Sequence, residues 1–179
     1  WHCLQPLTVS ARDLRILFLI GILLLVGGNG GVVWAEQYVA SGLAALLVAT
    51  VPLWMASLET LLPDGSRLTV AAATGLIVGF LGVAVLLWPK LQGVQGADLW
   101  GEAALLFAAL SWAVGSIWSR RAGLTVPPLV ATGWQMLLVG ALVTAVSVGT
   151  GEAAAARWTG TAVAAMGYLI LFGSCLGLS

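Results

Sequence analysis

The sequence predicts an all-α, polytopic transmembrane helical bundle, and three observations support this fold class. Hydrophobic residues make up 60% of the chain and charged residues only 8%, whereas about a quarter of residues are charged in soluble domains. So few charges could not cover a surface that faces water. The apolar residues are gathered into stretches long enough to cross a bilayer. These stretches lack the alternation of apolar and polar residues that is typical of a membrane β-barrel.

Six stretches have the roughly 20 mostly apolar residues that a helix needs to cross a membrane. They are residues 14–34, 42–62, 68–88, 99–119, 129–148 and 158–179. The connections between them are short and contain turn residues, as in P-D-G-S at 63–66. Short connections make successive helices antiparallel, so we expect a compact bundle. The chain begins without methionine and ends inside an apolar stretch, and we therefore expect it to be a fragment of a longer protein.

Basic residues beside the helices indicate the orientation, because cytoplasmic loops carry an excess of lysine and arginine. One side holds Arg12, Arg15, Arg67, Arg120 and Arg121, and the other holds Lys90 and Arg157. The side with fewer positive charges carries an aromatic belt at the helix ends, formed by Trp34, Trp88, Trp100 and Trp158. We therefore expect the loops at 63–67 and 120–125 to be cytoplasmic and the loop at 93–98 to be external.

The first predicted helix ends in G-G-N-G-G, in which four glycines surround Asn29. Glycine lets neighbouring helix backbones come close, so Gly27 and Gly31 are candidate sites of helix packing or gating. The amide of Asn29 could bond a solute, or only a partner helix. Glu36 follows at the outer end of the helix. Its carboxylate is a candidate contact for a substrate or a proton, or simply a hydrated interfacial group.

Two further features could serve either movement or packing. Pro52 lies near the middle of the second helix, where it removes a backbone hydrogen bond and kinks the helix. The kink could form a gate or part of a cavity wall, or only a packing bend. In the third helix, Ala71, Gly75 and Gly79 recur every fourth residue. This small-residue stripe could be a sliding surface or an ordinary close-packed contact.

Three more side chains are candidates for lining a solute cavity. Trp54 and Trp112 lie near helix centres, away from the aromatic belt. They could face a cavity for flat organic solutes, or they could fill the bundle or face lipid. Gln135 is the other amide well inside a helix, and the same alternatives apply to it.

Enzymatic and cofactor chemistry is not expected. The single histidine, His2, lies outside the first helix, and the G-S-C-L-G sequence at 173–177 has no histidine partner or strand-turn-helix context. Cys3 and Cys175 form no C-x-x-C pair, so neither a disulfide framework nor a metal site is indicated. The net charge of zero gives no basic surface for nucleic acid.

An internal similarity links the first and last predicted helices. G-I-L-L-L-V-G-G-N-G-G at 21–31 resembles G-Y-L-I-L-F-G-S-C-L-G at 167–177. The matched glycines are Gly21, Gly27 and Gly31 with Gly167, Gly173 and Gly177. The two helices are five apart in order, so they would cross the membrane in opposite directions. Inverted repeats are typical of secondary transporters, whose solute site lies between the halves. A repeat of five helices implies a parent of ten.

Several segments of the chain, including the two just compared, resemble a known family. G-G-N-G-G-V-V-W-A-E-Q-Y-V followed by S-G-L-A-A-L-L-V-A-T-V-P-L-W, and later L-L-F-A-A-L-S-W-A-V-G-S-I-W-S-R-R and G-Y-L-I-L-F-G-S, are similar to EamA-type transporters of the drug/metabolite transporter superfamily. The resemblance implies that the six helices correspond to family helices three to eight. Residues 1–90 would then be the C-terminal part of the first repeat, and residues 91–179 the N-terminal part of the second. Ser66 stands where the family often has glutamate.

We therefore interpret the chain as part of a multi-pass carrier of the bacterial inner membrane. The resemblance implies export or exchange of small organic metabolites or drug-like solutes by alternating access. The alternative is a membrane scaffold or sensor that uses the same bundle without transport. The expected partners are a small-molecule substrate and the lipid bilayer, and a homodimer is left open.

Overall fold

The computed structural model describes residues 9–63, 65, 69–91, 99–152 and 159–168. All regular structure in these residues is helical. The chain divides into two compact units, Trp1–Gly140 and Ala141–Ser179. The cavities described below lie in the first unit.

The first unit begins with two interrupted spans. The first combines α1 (Ala11–Gly21), a π-helical segment π1 (Ile22–Gly30) and α2 (Gly31–Ala35), and the second combines α3 (Ser41–Val48) and α4 (Val51–Leu61). The later helices are α5 (Val70–Leu91), α6 (Leu99–Arg121), α7 (Pro128–Gly149) and α8 (Gly160–Tyr168).

The prediction of an all-α polytopic bundle is confirmed. In the described residues, four spans are long and apolar enough to cross a membrane: Ala11–Ala35, Ser41–Leu61, Leu99–Arg121 and Pro128–Gly149. They coincide with the first, second, fourth and fifth predicted helices. α5 occupies the position of the third, with Val70–Val85 as a shorter apolar stretch. α8 covers part of the sixth, and the rest of that helix lies outside the described residues.

The first span starts at a side-chain cap. The backbone N–H of Asp13 donates a hydrogen bond to Ser10 Oγ at 3.1 Å, which satisfies one of the amides that a helix start leaves unpaired. Asp13 itself lies in the first turn, where the helix dipole favours a carboxylate. At the other end of the first span, the rings of Trp34 and Tyr38 pack at a tilt, with centroids 5.0 Å apart.

The middle of the first span is π-helical over nine residues, I-L-L-L-V-G-G-N-G. The sequence predicted a helix here but not its π-helical form. A run that is apolar on every side shows no periodic pattern from which a change in the number of residues per turn could be detected. π-helical turns are rare and occur frequently at functional sites. In this chain the π segment contains Gly27, Gly28 and Asn29.

The second span is interrupted beside Pro52, where a kink was predicted, but the predicted loss of a helical hydrogen bond does not occur. α3 ends at Val48, Ala49 and Thr50 form a turn, and Pro52 lies in the first turn of α4, where its missing N–H costs no helical hydrogen bond. Thr50 is buried, and its hydroxyl donates to the carbonyl of Leu47 at 2.6 Å. The break therefore leaves a polar side chain inside the bundle with its hydrogen bond made.

α6 is the central helix of the first unit. It packs against all parts of the first span and against α3 and α4. Its buried face joins a core of apolar side chains, Ala35, Val39, Ala44, Leu47 and Leu105. α5 packs against α4.

In the second unit, the last residues of α7 end in a local turn. The Thr150 hydroxyl donates to the carbonyl of Val146 at 3.0 Å. Gly151 follows with φ of 79°, a left-handed conformation that favours glycine after a helix.

Candidate solute cavity

The glycines of the first span lie against α6 with no room for a side chain. A Cβ atom added at Gly27 would overlap Ser111 Oγ, and one added at Gly28 would overlap the indole ring of Trp112. At Gly31 the added atom would lie 3.0 Å from the Cβ of Ala108. From Gly27 to Gly31 the contacts move back from Ser111 to Ala108, as antiparallel neighbours require. Glycine is therefore needed here for close approach between the two helix backbones.

α6 contributes small residues of its own to this contact. An added Cβ at Gly115 would lie 2.9 Å from the side chain of Leu24, and one at Gly101 would lie 2.6 Å from Val39. Gly101, Ala108 and Gly115 recur every seventh residue, which keeps them on one side of the helix. This stripe was not predicted, although its seven-residue spacing is visible in the sequence.

One polar contact crosses the same helix pair. The Ser111 hydroxyl donates to the carbonyl of Leu23, in π1, at 2.8 Å. Ser111 is buried. A hydroxyl in this environment needs an acceptor, and a helix carbonyl has a second lone pair to offer. The bond therefore fixes π1 against α6.

Asn29 lies where two cavities meet. The first, here called the apolar cavity, has a volume of about 650 Å³ and is lined mainly by apolar residues of the first span, the second span and α6. Pro52, Val51, Val33 and Ala109 are among them. Asn29 supplies the amide of this wall, so the apolar cavity offers very little hydrogen bonding to a solute.

The second, the polar cavity, has a volume of about 510 Å³ and lies between π1, α4, α6 and α7. Six of its lining side chains are polar: Asn29, Ser116, Ser119, Arg120, Thr132 and Gln135. It shares Asn29, Met55 and Trp112 with the apolar cavity. These three side chains thus form a partition between a polar and an apolar space.

A third cavity, the loop cavity, of about 480 Å³, continues from the polar cavity towards the α6–α7 loop. The two share Ser119, Arg120, Thr132 and Gln135. The three cavities are therefore consecutive. Polar residues lie where the loop cavity meets the polar cavity, and Asn29, Met55 and Trp112 lie where the polar cavity meets the apolar cavity.

Gln135 and Asn29 are the amides of this series. Gln135 is 8% exposed, and no hydrogen bond from another described residue reaches its side chain. Asn29 also receives no side-chain hydrogen bond from another described residue, but unlike Gln135 it is exposed, and it lines both the polar and the apolar cavity. Each amide carries two donor hydrogens and an acceptor oxygen, so both can bond a solute or water in the polar cavity.

Of the predicted site residues, the structure brings together Asn29, Pro52, Trp112 and Gln135. Trp54 packs edge-on against Phe80 of α5, with ring centroids 5.3 Å apart, and is not among the side chains of the three cavities. Glu36 is exposed at the end of α2.

The predicted packing glycines differ from one another. Gly27 and Gly31 lie against α6, as described above. An added Cβ at Gly79 would lie 2.7 Å from the side chain of Leu53, whereas one at Gly75 would meet no described atom within 4 Å. Gly173 and Gly177 lie outside the described residues, so their predicted match with Gly27 and Gly31 stays a prediction.

Two charged contacts lie near the loop cavity, and sequence analysis identified neither. Asp13 is 1% exposed, and its Oδ2 accepts hydrogen bonds from the backbone N–H of Thr125, at 3.3 Å, and from the Thr125 hydroxyl. Arg120 Nη2 lies 2.8 Å from Glu59 Oε1, which joins the ends of α4 and α6. The S-A-R-D sequence before the first helix was the available signal for Asp13, because it matches a capping pattern. Within the described residues, no group of three or more His, Cys, Asp or Glu side chains could hold a metal ion.

Comparisons with known proteins give relatives that are named as transporters. The chain is 36% identical over 179 residues to the uncharacterized inner membrane transporter YedA of Escherichia coli, covering 99% of this chain and 55% of the relative. It is 22% identical over 159 residues to the uncharacterized transporter YoaV of Bacillus subtilis, covering 89% of this chain and 54% of that protein. A WAT1-related chloroplastic protein of Arabidopsis thaliana is 31% identical over 115 residues, 63% of this chain and 27% of that protein.

The chain thus spans about half the length of the bacterial relatives it matches. No family model matches it, and no solved structure does. Its helical spans and these similarities lead to one conclusion: the chain is a multi-pass inner membrane protein related to membrane transporters.

Proposed function

We propose that the intact protein is an EamA-type carrier of the drug/metabolite transporter superfamily that moves small organic solutes across the membrane by alternating access. In this proposal residues 1–90 and 91–179 belong to two inverted repeats of five helices each. The solute moves through the loop, polar and apolar cavities in turn. Export or exchange is the direction that the family resemblance suggests.

The observation that carries the proposal is the meeting of the polar and apolar cavities at Asn29, Met55 and Trp112. A scaffold has no need of adjacent cavities of small-molecule size between its membrane spans. Sites for small molecules typically measure about 300–1,000 Å³ and combine apolar walls with a few polar groups. The polar and apolar cavities both have this size and composition, and the similarity to proteins named as transporters supports the same conclusion.

Asn29 and Gln135 are assigned to solute binding, and Trp112 with Met55 to the partition that a solute must pass. Methionine is flexible and polarizable, so it can rearrange around different solutes. Gly27 and Gly31 hold the first span against α6, and Pro52 marks the bend of the second span beside the apolar cavity. A change of cavity access requires these packed helices to have two arrangements of similar free energy.

The proposal is tested with the full-length protein in proteoliposomes, loaded in turn with anionic, cationic and neutral organic solutes. Saturable flux of at least one solute is expected. Asn29→Ala and Gln135→Ala should each lower this flux about tenfold, which is the effect of losing one hydrogen bond of about 1.4 kcal/mol. Gln37→Ala is the matched control, because Gln37 is an exposed amide in the turn after α2. Absence of saturable flux for every solute would favour the scaffold or sensor.

A further inference from the structure

Arg120 occupies a distinctive place in the cavity series. Its side chain lines both the polar cavity and the loop cavity. Among the described residues that line the three cavities, Arg120 is the only one with an ionisable side chain. Ser119, Thr132 and Gln135 surround the same junction and can donate hydrogen bonds to an anion.

The current partner of Arg120 is Glu59, which is not among the lining residues of the cavities. The side chains of Arg120 and Glu59 are 57% and 30% exposed. Ion pairs with this much solvent contact typically contribute about 0–1 kcal/mol, so Arg120 can leave Glu59 at little cost. Its guanidinium presents a planar set of donors that matches a carboxylate in two parallel hydrogen bonds.

The other end of the polar cavity is apolar. Trp112 and Arg120 are eight residues apart on α6, which is about 12 Å along a helix axis. Met55, Trp112 and Met136 provide the apolar wall near the partition. A solute with an apolar body at this wall and an anionic group near Arg120 would fill the cavity along its length. A cationic solute would find no described carboxylate in the lining to compensate its charge.

We propose that the solute is an amphipathic organic monoanion whose carboxylate replaces Glu59 on Arg120 while its apolar part lies against Met55 and Trp112. This assignment of a substrate class rests on the proposed transport function. Glu59 acts as an intramolecular competitor that holds Arg120 when the cavity contains no anion. Serine, threonine and glutamine at the junction complete the coordination of the carboxylate.

A matched series of three compounds tests the proposal: 3-phenylpropionate, 3-phenylpropylamine and 3-phenylpropan-1-ol share one apolar body and differ in the polar end. Binding to the full-length protein in detergent is measured as the concentration dependence of the melting temperature, since a ligand of the folded state stabilises it by mass action. 3-Phenylpropionate should bind at least about tenfold more tightly than the amine and the alcohol.

Variants locate the effect. Arg120→Gln should remove the preference for the anion, and Arg120→Lys should retain part of it, because lysine keeps the charge but not the planar donor set. Arg121→Gln is the matched control for charge, since Arg121 lines a separate apolar groove with Trp118 and Leu58. It should leave the affinity within about twofold. Glu59→Gln should strengthen anion binding, because it removes the competitor for Arg120.

Equal or tighter binding of the amine or the alcohol would overturn the proposal, as would an anion preference that survives Arg120→Gln. Weaker anion binding in Glu59→Gln would contradict the exchange of partners. If none of the three compounds binds a protein that transports another solute, the assignment of the substrate class is wrong and the transport function stands. Failure of both binding and flux, over the whole set of solutes, would overturn both proposals.

Discussion

Two glycine-rich stretches of this chain have opposite surroundings. In π1 and α2, glycines at positions 27, 28 and 31 face Ser111, Trp112 and Ala108 of α6 at distances that exclude a side chain. In α5, Gly75 and Gly82 have no described atom within 4 Å of where a Cβ would be. Of these three α5 glycines, Gly79 is the one at which an added Cβ would meet another described helix, at Leu53. The comparison teaches that glycine spacing indicates a surface suitable for close packing, whereas the partner decides whether the packing occurs.

The difference also explains where the cavities lie. Where α6 approaches the first span closely, Ser111 can reach the carbonyl of Leu23. Trp112 packs against Gly28 and lines both the polar and the apolar cavity, with 42% of its surface exposed. Gly75 and Gly82 of α5 have no corresponding neighbour among the described residues and line none of the three cavities.

The largest expected effect is a leucine at Gly28. The new side chain would overlap the ring of Trp112, and overpacking of this kind costs about 1–3 kcal/mol or more. Gly75→Leu should instead be neutral, or stabilising by up to about 1 kcal/mol, because the site is open and leucine favours a helix more than glycine does. The free energy of unfolding of the full-length protein, measured in mixed detergent micelles, separates the two. Equal losses in both variants would show that the two stretches do not differ in packing.

An intermediate effect is expected at Asp13, which ties the start of the first span to the α6–α7 loop. Asp13→Ala removes the acceptor of the backbone N–H and hydroxyl of Thr125; because Thr125 is exposed and its freed donors can bond water, the loss should be about 0.5–1.5 kcal/mol. Asp13→Asn keeps one acceptor oxygen and should lose less than half as much. Glu36→Ala, at an exposed carboxylate, should stay within about 0.5 kcal/mol. If Asp13→Ala is as neutral as Glu36→Ala, the glycine contacts alone hold the first span in place.

Sequence predicted the fold class, because apolar length is a local property, and it identified Gly27 and Gly31 as candidates for close packing, but it could not tell which small-residue stripes have a partner helix. It also placed Asn29, Trp112 and Gln135 among the candidates for one cavity, since polar and aromatic side chains near helix centres are conspicuous in an apolar chain. The π segment could not be predicted, because its apolar residues surround the helix evenly. The Arg120–Glu59 and Asp13–Thr125 contacts join residues 61 and 112 positions apart, and no local sequence pattern predicts pairings over such separations.

Trp54 also shows that the sequence does not reveal which neighbour a side chain will have. Like Trp112, it is a tryptophan near a helix centre, and the two were indistinguishable from sequence. The structure places Trp112 at the cavity partition and Trp54 against Phe80. The neighbouring helix determines the outcome, just as it does for the glycines.

The smallest expected effect concerns the hydroxyl of Ser111. It compares the stability contributed by a hydrogen bond between two helices with that contributed by a hydrogen bond within one helix. Ser111→Ala removes the hydrogen bond to Leu23, and interhelical bonds of this kind in membranes contribute about 0.6 kcal/mol on average. Ser57→Ala is the matched control, because its hydroxyl donates to Leu53 of the same helix at 2.8 Å and such local bonds do not stabilise a helix. Unfolding free energies should therefore fall for Ser111→Ala and stay unchanged for Ser57→Ala.

The same serine also determines how much room Gly27 has, so the two positions should be coupled. Gly27→Ala alone places a methyl group where Ser111 Oγ lies, whereas in a Ser111→Ala background only the Cβ of residue 111 stays close, at 3.1 Å from the new atom. The double variant should thus be more stable than the sum of the single effects allows, by about 0.5 kcal/mol or more, as expected for residues in direct contact. Strict additivity would mean that the first span moves away from α6 in the single variant. The close approach would then be a soft contact, no different in kind from the open glycines of α5.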